Sequence, residues 1–138
     1  TQPALDQIGA RVLLVEDGRD NQRLIQHLLR RVGCTVEIAE NGQQCLDRMQ
    51  DPDAAFDVVL MDMQMPEMSG IEATQQIRRL EGESGRRVPI VALTANTTPE
   101  DRDSCLHAGM DEVLPKPVSV PKLRAMLQRY GWADGGPR

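Results

Sequence analysis

The stretch Phe56-Asp57-Val58-Val59-Leu60-Met61-Asp62-Met63-Gln64-Met65-Pro66-Glu67-Met68-Ser69-Gly70 decides the fold of this chain. Val58 to Met61 is an unbroken apolar run, too short for a helix and bounded by polar residues. Such a run suits a strand buried on both faces of a parallel sheet covered by helices. It stops on Asp62, and Pro66 and Gly70 forbid a regular continuation. A carboxylate is thus lifted to the end of a rigid central strand, beside a loop. A lone aspartate there would most simply satisfy loop amides, so the other strand ends decide whether this one does more.

Upstream, Arg11 to Val15 holds a second short buried run that ends on Glu16-Asp17, followed by Gly18. From about Asp20 to Val32 the residues Leu24, Ile25, Leu28, Leu29 and Val32 recur at helical spacing, and Gly33 is placed to stop that helix. His27 among them is expected at the surface. Cys34 to Ala39 alternates as a strand should, Asn41-Gly42 turns the chain, and Cys45, Leu46 and Met49 mark a short helix ending near Asp51-Pro52.

Downstream, Ile71, Thr74, Ile77 and Leu80 predict a helix over 70–80, with Gly82, Ser84 and Gly85 in a loose loop. Val88 to Leu93 is a fourth apolar run and ends on Thr94. Thr98, Pro99 and Asp101 then read as N-cap, first-turn proline and capping-box acid of a helix closing at Ala108-Gly109. Asp111 to Leu114 is a brief fifth strand before Pro115-Lys116-Pro117. A last helix spans about Val120 to Tyr130, with Leu123, Met126 and Leu127 inward. Five strands alternating with five helices predict an α/β, doubly wound parallel sheet. Residues 1–10 read as a linker remnant, 11–130 as one domain and 131–138 as a frayed tail.

Composition narrows the function. At 138 residues there is room for one domain with a real core. The net charge of −5 and the lack of any basic stripe argue against nucleic-acid binding by this domain; Arg30-Arg31 and Arg86-Arg87 are only doublets. Cys34, Cys45 and Cys105 have no metal-like spacing and read as unpaired thiols of a cytoplasmic protein. No apolar segment approaches a membrane span, so no membrane contact by this domain is expected. With Phe56, Tyr130 and Trp132 as the only aromatics, stacking on a flavin or a base has little to draw on.

In a parallel sheet the residues that end the strands gather at one edge, where ligands bind. Here they are Glu16-Asp17, Asp62, Thr94 and Lys116. Two unit charges about 4 Å apart cost on the order of 4 kcal/mol at an effective dielectric near 20, so three carboxylates in one crevice call for a cation. Mg2+ takes oxygen ligands and shares them with phosphoryl groups. Lys116 and Thr94 suit the oxygens of such a group, and Asp62 can serve as the nucleophile that forms an acyl phosphate.

These residues also carry a resemblance. Val-Glu-Asp at 15–17, Met-Asp-Met-Gln-Met-Pro at 61–66 with Gly70, Ala-Leu-Thr-Ala at 92–95 and Lys-Pro at 116–117 resemble the receiver domain of two-component response regulators, over about Arg11 to Arg129. The resemblance implies a flavodoxin-like (βα)5 receiver fold with strand order 2-1-3-4-5. It implies that Asp62 accepts phosphate from a phosphohistidine donor. Asp17 and Asp62 are then direct Mg2+ ligands, Glu16 acts through water, and Gln64 supplies a backbone carbonyl. Thr94 becomes the switch hydroxyl, and Lys116 contacts the phosphoryl group, with a cis bond to Pro117. Gln64 and Asn96 stand where the family tunes phosphate lifetime. One departure is Val113, where the family usually has Tyr or Phe; the output through the last two helices is muted or built differently.

Asn21-Gln22, Ile-Glu-Ala-Thr at 71–74 and Ala-Gly-Met-Asp at 108–111 further resemble receivers of hybrid sensor histidine kinases. That implies a histidine kinase or histidine phosphotransfer domain as partner, and a monomer or weak dimer. The domain would assist its own phosphorylation inside a parent histidine kinase, which could be membrane-bound. Alternatives are a single-domain response regulator, a haloacid-dehalogenase-like phosphatase, a flavodoxin-like cofactor binder and a degenerate receiver used only for interaction. The phosphatase reading lacks its acid–base aspartate, since that place is Gln64, and the flavodoxin reading lacks a phosphate loop after the first strand.

Overall fold

A computed structural model of the chain describes residues 9–51, 55–65, 68–84, 87–95, 97–130, 132–133 and 136–137. The elements alternate as β1 (Arg11–Val15), α1 (Arg19–Arg31), β2 (Thr35–Ala39), α2 (Gly42–Met49), β3 (Val58–Asp62) and α3 (Gly70–Ser84). They continue with β4 (Ile90–Thr94), α4 (Pro99–Ala108), β5 (Glu112–Pro115) and α5 (Val120–Arg129). All five strands run parallel in the order β2-β1-β3-β4-β5, the order that the resemblance implies.

The two-residue period of a strand sends alternate side chains to opposite faces, and here both faces are covered. Val12, Leu14, Leu60 and Leu93 pack with Ile25 and Leu29 of α1 and Leu123, Met126 and Leu127 of α5. Leu13, Val15, Val59, Met61 and Ala92 pack with Cys45 and Leu46 of α2, Ala73 and Ile77 of α3 and Cys105 of α4. All five residues of β3 are buried, as are all five of β4, which explains why both read as continuous apolar runs. The three thiols are buried and free, and burial pushes Cys34 up to about 11 and Cys45 up to about 12.

Several boundaries differ from the sequence reading, each for a local reason. Asn41-Gly42 starts a helix rather than turning the chain: the Asn41 side chain accepts from the Gln44 N–H at 2.8 Å, so α2 begins at Gly42. Helix α3 runs on through Gly82 to Ser84, because Glu81 is held by Arg78 at 2.6 Å and by the Val88 N–H at 2.6 Å. Strand β4 begins at Ile90 rather than Val88, since Pro89 has no N–H to give to a ladder. Cys34 sends its N–H back to the Leu29 carbonyl, and β2 starts one residue later. Asp111 precedes β5 and accepts from the Ile90 N–H. Leu24 is half exposed, though its spacing placed it on the buried stripe. In place of a wholly frayed tail, Trp132–Ala133 and Gly136–Pro137 form a minimal antiparallel pair. Most of the linker at 1–10 lies outside the described residues.

Candidate functional site

The residues that end the strands meet at the carboxyl edge of the sheet. Asp62 is the last residue of β3 and Thr94 the last of β4; Glu16-Asp17 follow β1 directly, and Lys116 follows β5. Carboxylate oxygens of Glu16, Asp17 and Asp62 all lie within 4.8 Å of one another. Asp62 and Glu16 are 3% and 1% exposed, whereas Asp17 opens to solvent. The Lys116 ammonium stands 3.2 Å from Asp62 Oδ1 and 3.8 Å from Glu16 Oε1. The Lys116-Pro117 bond is cis, as the resemblance implies.

Backbone and side-chain donors fix the acids. The Gly18 N–H donates to Glu16 Oε2 at 2.9 Å, and the Gln64 N–H donates to Asp62 Oδ1 at 3.1 Å. Gln22, in the first turns of α1, donates its side-chain amide to the Glu16 carbonyl at 2.6 Å. Sequence reasoning gave Gln22 no part in the site; only its place six residues after the acid could have suggested one. Glu16 Oε1 is buried and accepts no hydrogen bond. Burial drives the Glu16 carboxyl up to about 7, with the nearby Asp62 charge adding to the rise and Gly18 and Lys116 opposing it.

Buried polar atoms are normally satisfied; Glu16 Oε1 accepts no hydrogen bond and has the Lys116 ammonium no nearer than 3.8 Å, so a cation closer in would complete it. The donor set is oxygen only, which suits a hard divalent cation. Thr94 is 6% exposed and lines a cavity of about 200 Å³ with Met63, Gln64, Ile71, Asp101, Ser104 and Cys105, between the loop after β3 and α4. Asn96 and Pro66 lie outside the described residues. Every other sequence-predicted site residue is brought to this edge. Val113 is buried on the α4 side of the sheet beside Ala92.

The family model of the response regulator receiver domain matches residues 12–128, and the chain belongs to that family. It is 40% identical over 119 residues to hybrid signal transduction histidine kinase I of Dictyostelium discoideum, covering 84% of this chain and 7% of that protein. It is 41% identical over 122 residues to a two-component response regulator of Oryza sativa subsp. japonica, covering 87% of this chain and 93% of that one. Among solved structures it resembles the receiver domain of a Pseudomonas aeruginosa sensor histidine kinase with a magnesium ion coordinated in the active site cleft (TM-score 0.76, 41% identity, 88% of this chain and 97% of that one). It also resembles the receiver domain of a Saccharomyces cerevisiae response regulator co-crystallised with a histidine phosphotransfer signaling protein (TM-score 0.81, 34% identity, 89% of each chain). The fold and family make this chain a receiver domain of two-component phosphorelay signalling. Among the described residues, no helix is long and apolar enough to cross a membrane.

Proposed function

We propose that Asp62 accepts a phosphoryl group from a phosphohistidine of a histidine kinase or histidine phosphotransfer domain. One observation carries the reading: the Lys116 ammonium is 3.2 Å from an Asp62 that shares its crevice with two further carboxylates. An Asp62 oxygen attacks phosphorus to form the O–P bond of an acyl phosphate as the P–N bond breaks, and its electron pair leaves on an imidazole already protonated at the donor's other ring nitrogen. Lys116 keeps the nucleophile in place and then faces the transferred oxygens, while Thr94 offers its hydroxyl to one of them. Asp17, Asp62 and the Gln64 carbonyl would hold Mg2+, with Glu16 acting through water. When bound, Mg2+ neutralises the charge that gathers on the phosphoryl oxygens.

Two contexts fit this reaction. The relation to a hybrid kinase, of which the chain spans 7%, supports a receiver acting within a larger histidine kinase. The rice regulator, of which it spans 93%, supports a stand-alone regulator. We favour the first, because Asn21-Gln22 and Ala-Gly-Met-Asp at 108–111 match the hybrid type.

Intact mass after incubation with a small acyl phosphate, with and without Mg2+, tests the assignment. A Mg2+-dependent gain of one phosphoryl group that is lost in Asp62→Asn is expected. Stoichiometric uptake by Asp62→Asn would overturn it.

A further inference from the structure

We infer that Gly42, the first residue of α2, is a positioning residue for the loop after Asp62, acting through Met68; the inference rests on the reading of that loop as part of the cation site. Gly42 is buried, and its φ lies outside the left-handed region, so its backbone does not require a glycine. Space does. An ideally placed Cβ on Gly42 would lie 2.6 Å from Met68 Sδ and 2.9 Å from both Met68 Cβ and Cγ. A rotamer change could move the sulfur, but Met68 Cβ is fixed to the backbone, so only a shift of the loop relieves that contact.

Two close contacts limit how the loop can shift. Helix α2 cannot retreat, because Cys45 and Leu46 are buried in the core and Asn41 caps its start. The other end of the loop is equally tight: a Cβ on Gly70 would lie 3.0 Å from the Asp62 carbonyl oxygen and 3.1 Å from Met61 Cγ. Displacement of Met68 is therefore passed through Ser69 to Gly70, which lies against the Asp62 carbonyl and Met61. Gly42 faces Met68 Sδ, Cβ and Cγ, and that contact sets the loop.

The test is a titration with MgCl2 alone, followed by amide chemical shifts, beside thermal unfolding in chelator. Gly42→Ala is expected to weaken Mg2+ binding roughly tenfold, as for other groups that hold metal ligands in place, with little change in melting temperature. Gly42→Ala with Met68→Ala gives the new methyl the vacated space, and is expected to recover most of the affinity. Met68→Ile crowds the same contact from the loop side and is expected to reproduce the loss, which covers the case of a poorly folding Gly42→Ala. Unchanged affinity in Gly42→Ala and Met68→Ile, or no recovery in the double variant, would overturn the inference alone. A wild-type domain without Mg2+ affinity would overturn the cation reading and this inference with it.

Discussion

The Lys116 ammonium reaches Asp62 Oδ1 at 3.2 Å from the loop after the edge strand β5, across β4, to the end of β3. The same nitrogen lies 3.8 Å from Glu16 Oε1, so one cation faces two buried carboxylates. Removing one partner of such a set leaves the others buried and uncompensated. Lys116→Met is therefore expected to lower stability in chelator by about 1–3 kcal/mol, and added Mg2+ should restore more stability to the variant than to the wild type. Urea unfolding with and without Mg2+ checks this. Equal Mg2+ responses in the two proteins would show that Lys116 is not standing in for the metal's charge.

Glu16 gives the site a pH dependence whose sign can be worked out. Its carboxyl rises from 4.5 when unfolded to about 7 when folded, so between those values the folded state binds more protons than the unfolded one. Stability then falls as pH rises through the window. At about 1.4 kcal/mol per pH unit the contribution approaches 3 kcal/mol at the top of the window. Glu16→Gln is expected to flatten the slope in denaturation curves taken in chelator. It should also make the domain more stable than wild type in alkaline buffer. A slope identical to the wild type would remove Glu16 as its origin.

The meeting of these residues at one edge was legible because strand ends in a parallel sheet converge: Asp62 and Thr94 close β3 and β4, Glu16-Asp17 follow β1 and Lys116 follows β5. The buried runs Val12–Val15, Val58–Met61 and Ile90–Leu93 announced the central strands for the same reason. What escaped depended on contacts distant in sequence. The extension of α3 to Ser84 rests on Glu81 meeting Val88 and Arg78 meeting Asp111. No local pattern marks Gln22 as the brace of the Glu16 carbonyl. Asn41-Gly42 carries the signature of a turn and of a helix start alike, and only the Gln44 N–H decides between them.

Val113 separates stability from chemistry. It is 7% exposed, pairs in register with Ala92 and shares its core with Ile90, Cys105 and Met110. Val113→Ala is expected to cost about 2 kcal/mol through the cavity it leaves, while the rate of phosphoryl uptake from a small acyl phosphate stays near that of the wild type. Intact-mass time courses beside urea curves make the comparison. A large loss of uptake by folded Val113→Ala would mean that this position couples to the site without a ring.

Arg78 holds together the opposite edge of the sheet. Its side chain is 14% exposed and donates to Glu81, to Asp111 and to the carbonyls of Val88 and Gly109, all within 2.9 Å. Asp111 also takes the Ile90 N–H at 2.8 Å, so the guanidinium ties α3 to the start of β4 and to the turn before β5. Arg78→Ala takes one donor group from two half-buried carboxylates and two carbonyls, leaving Asp111 with Arg87 and the Ile90 N–H and Glu81 with the Val88 N–H, and is expected to cost about 3 kcal/mol. Arg78→Lys should recover only part of this, because an ammonium cannot span donors fixed in a planar fork. Both variants should lower the urea midpoint, and the folded fraction should still take up phosphate, since the network lies at the amino ends of the strands and Asp62 at the carboxyl ends. Full rescue by lysine would reduce the network to simple charge balance.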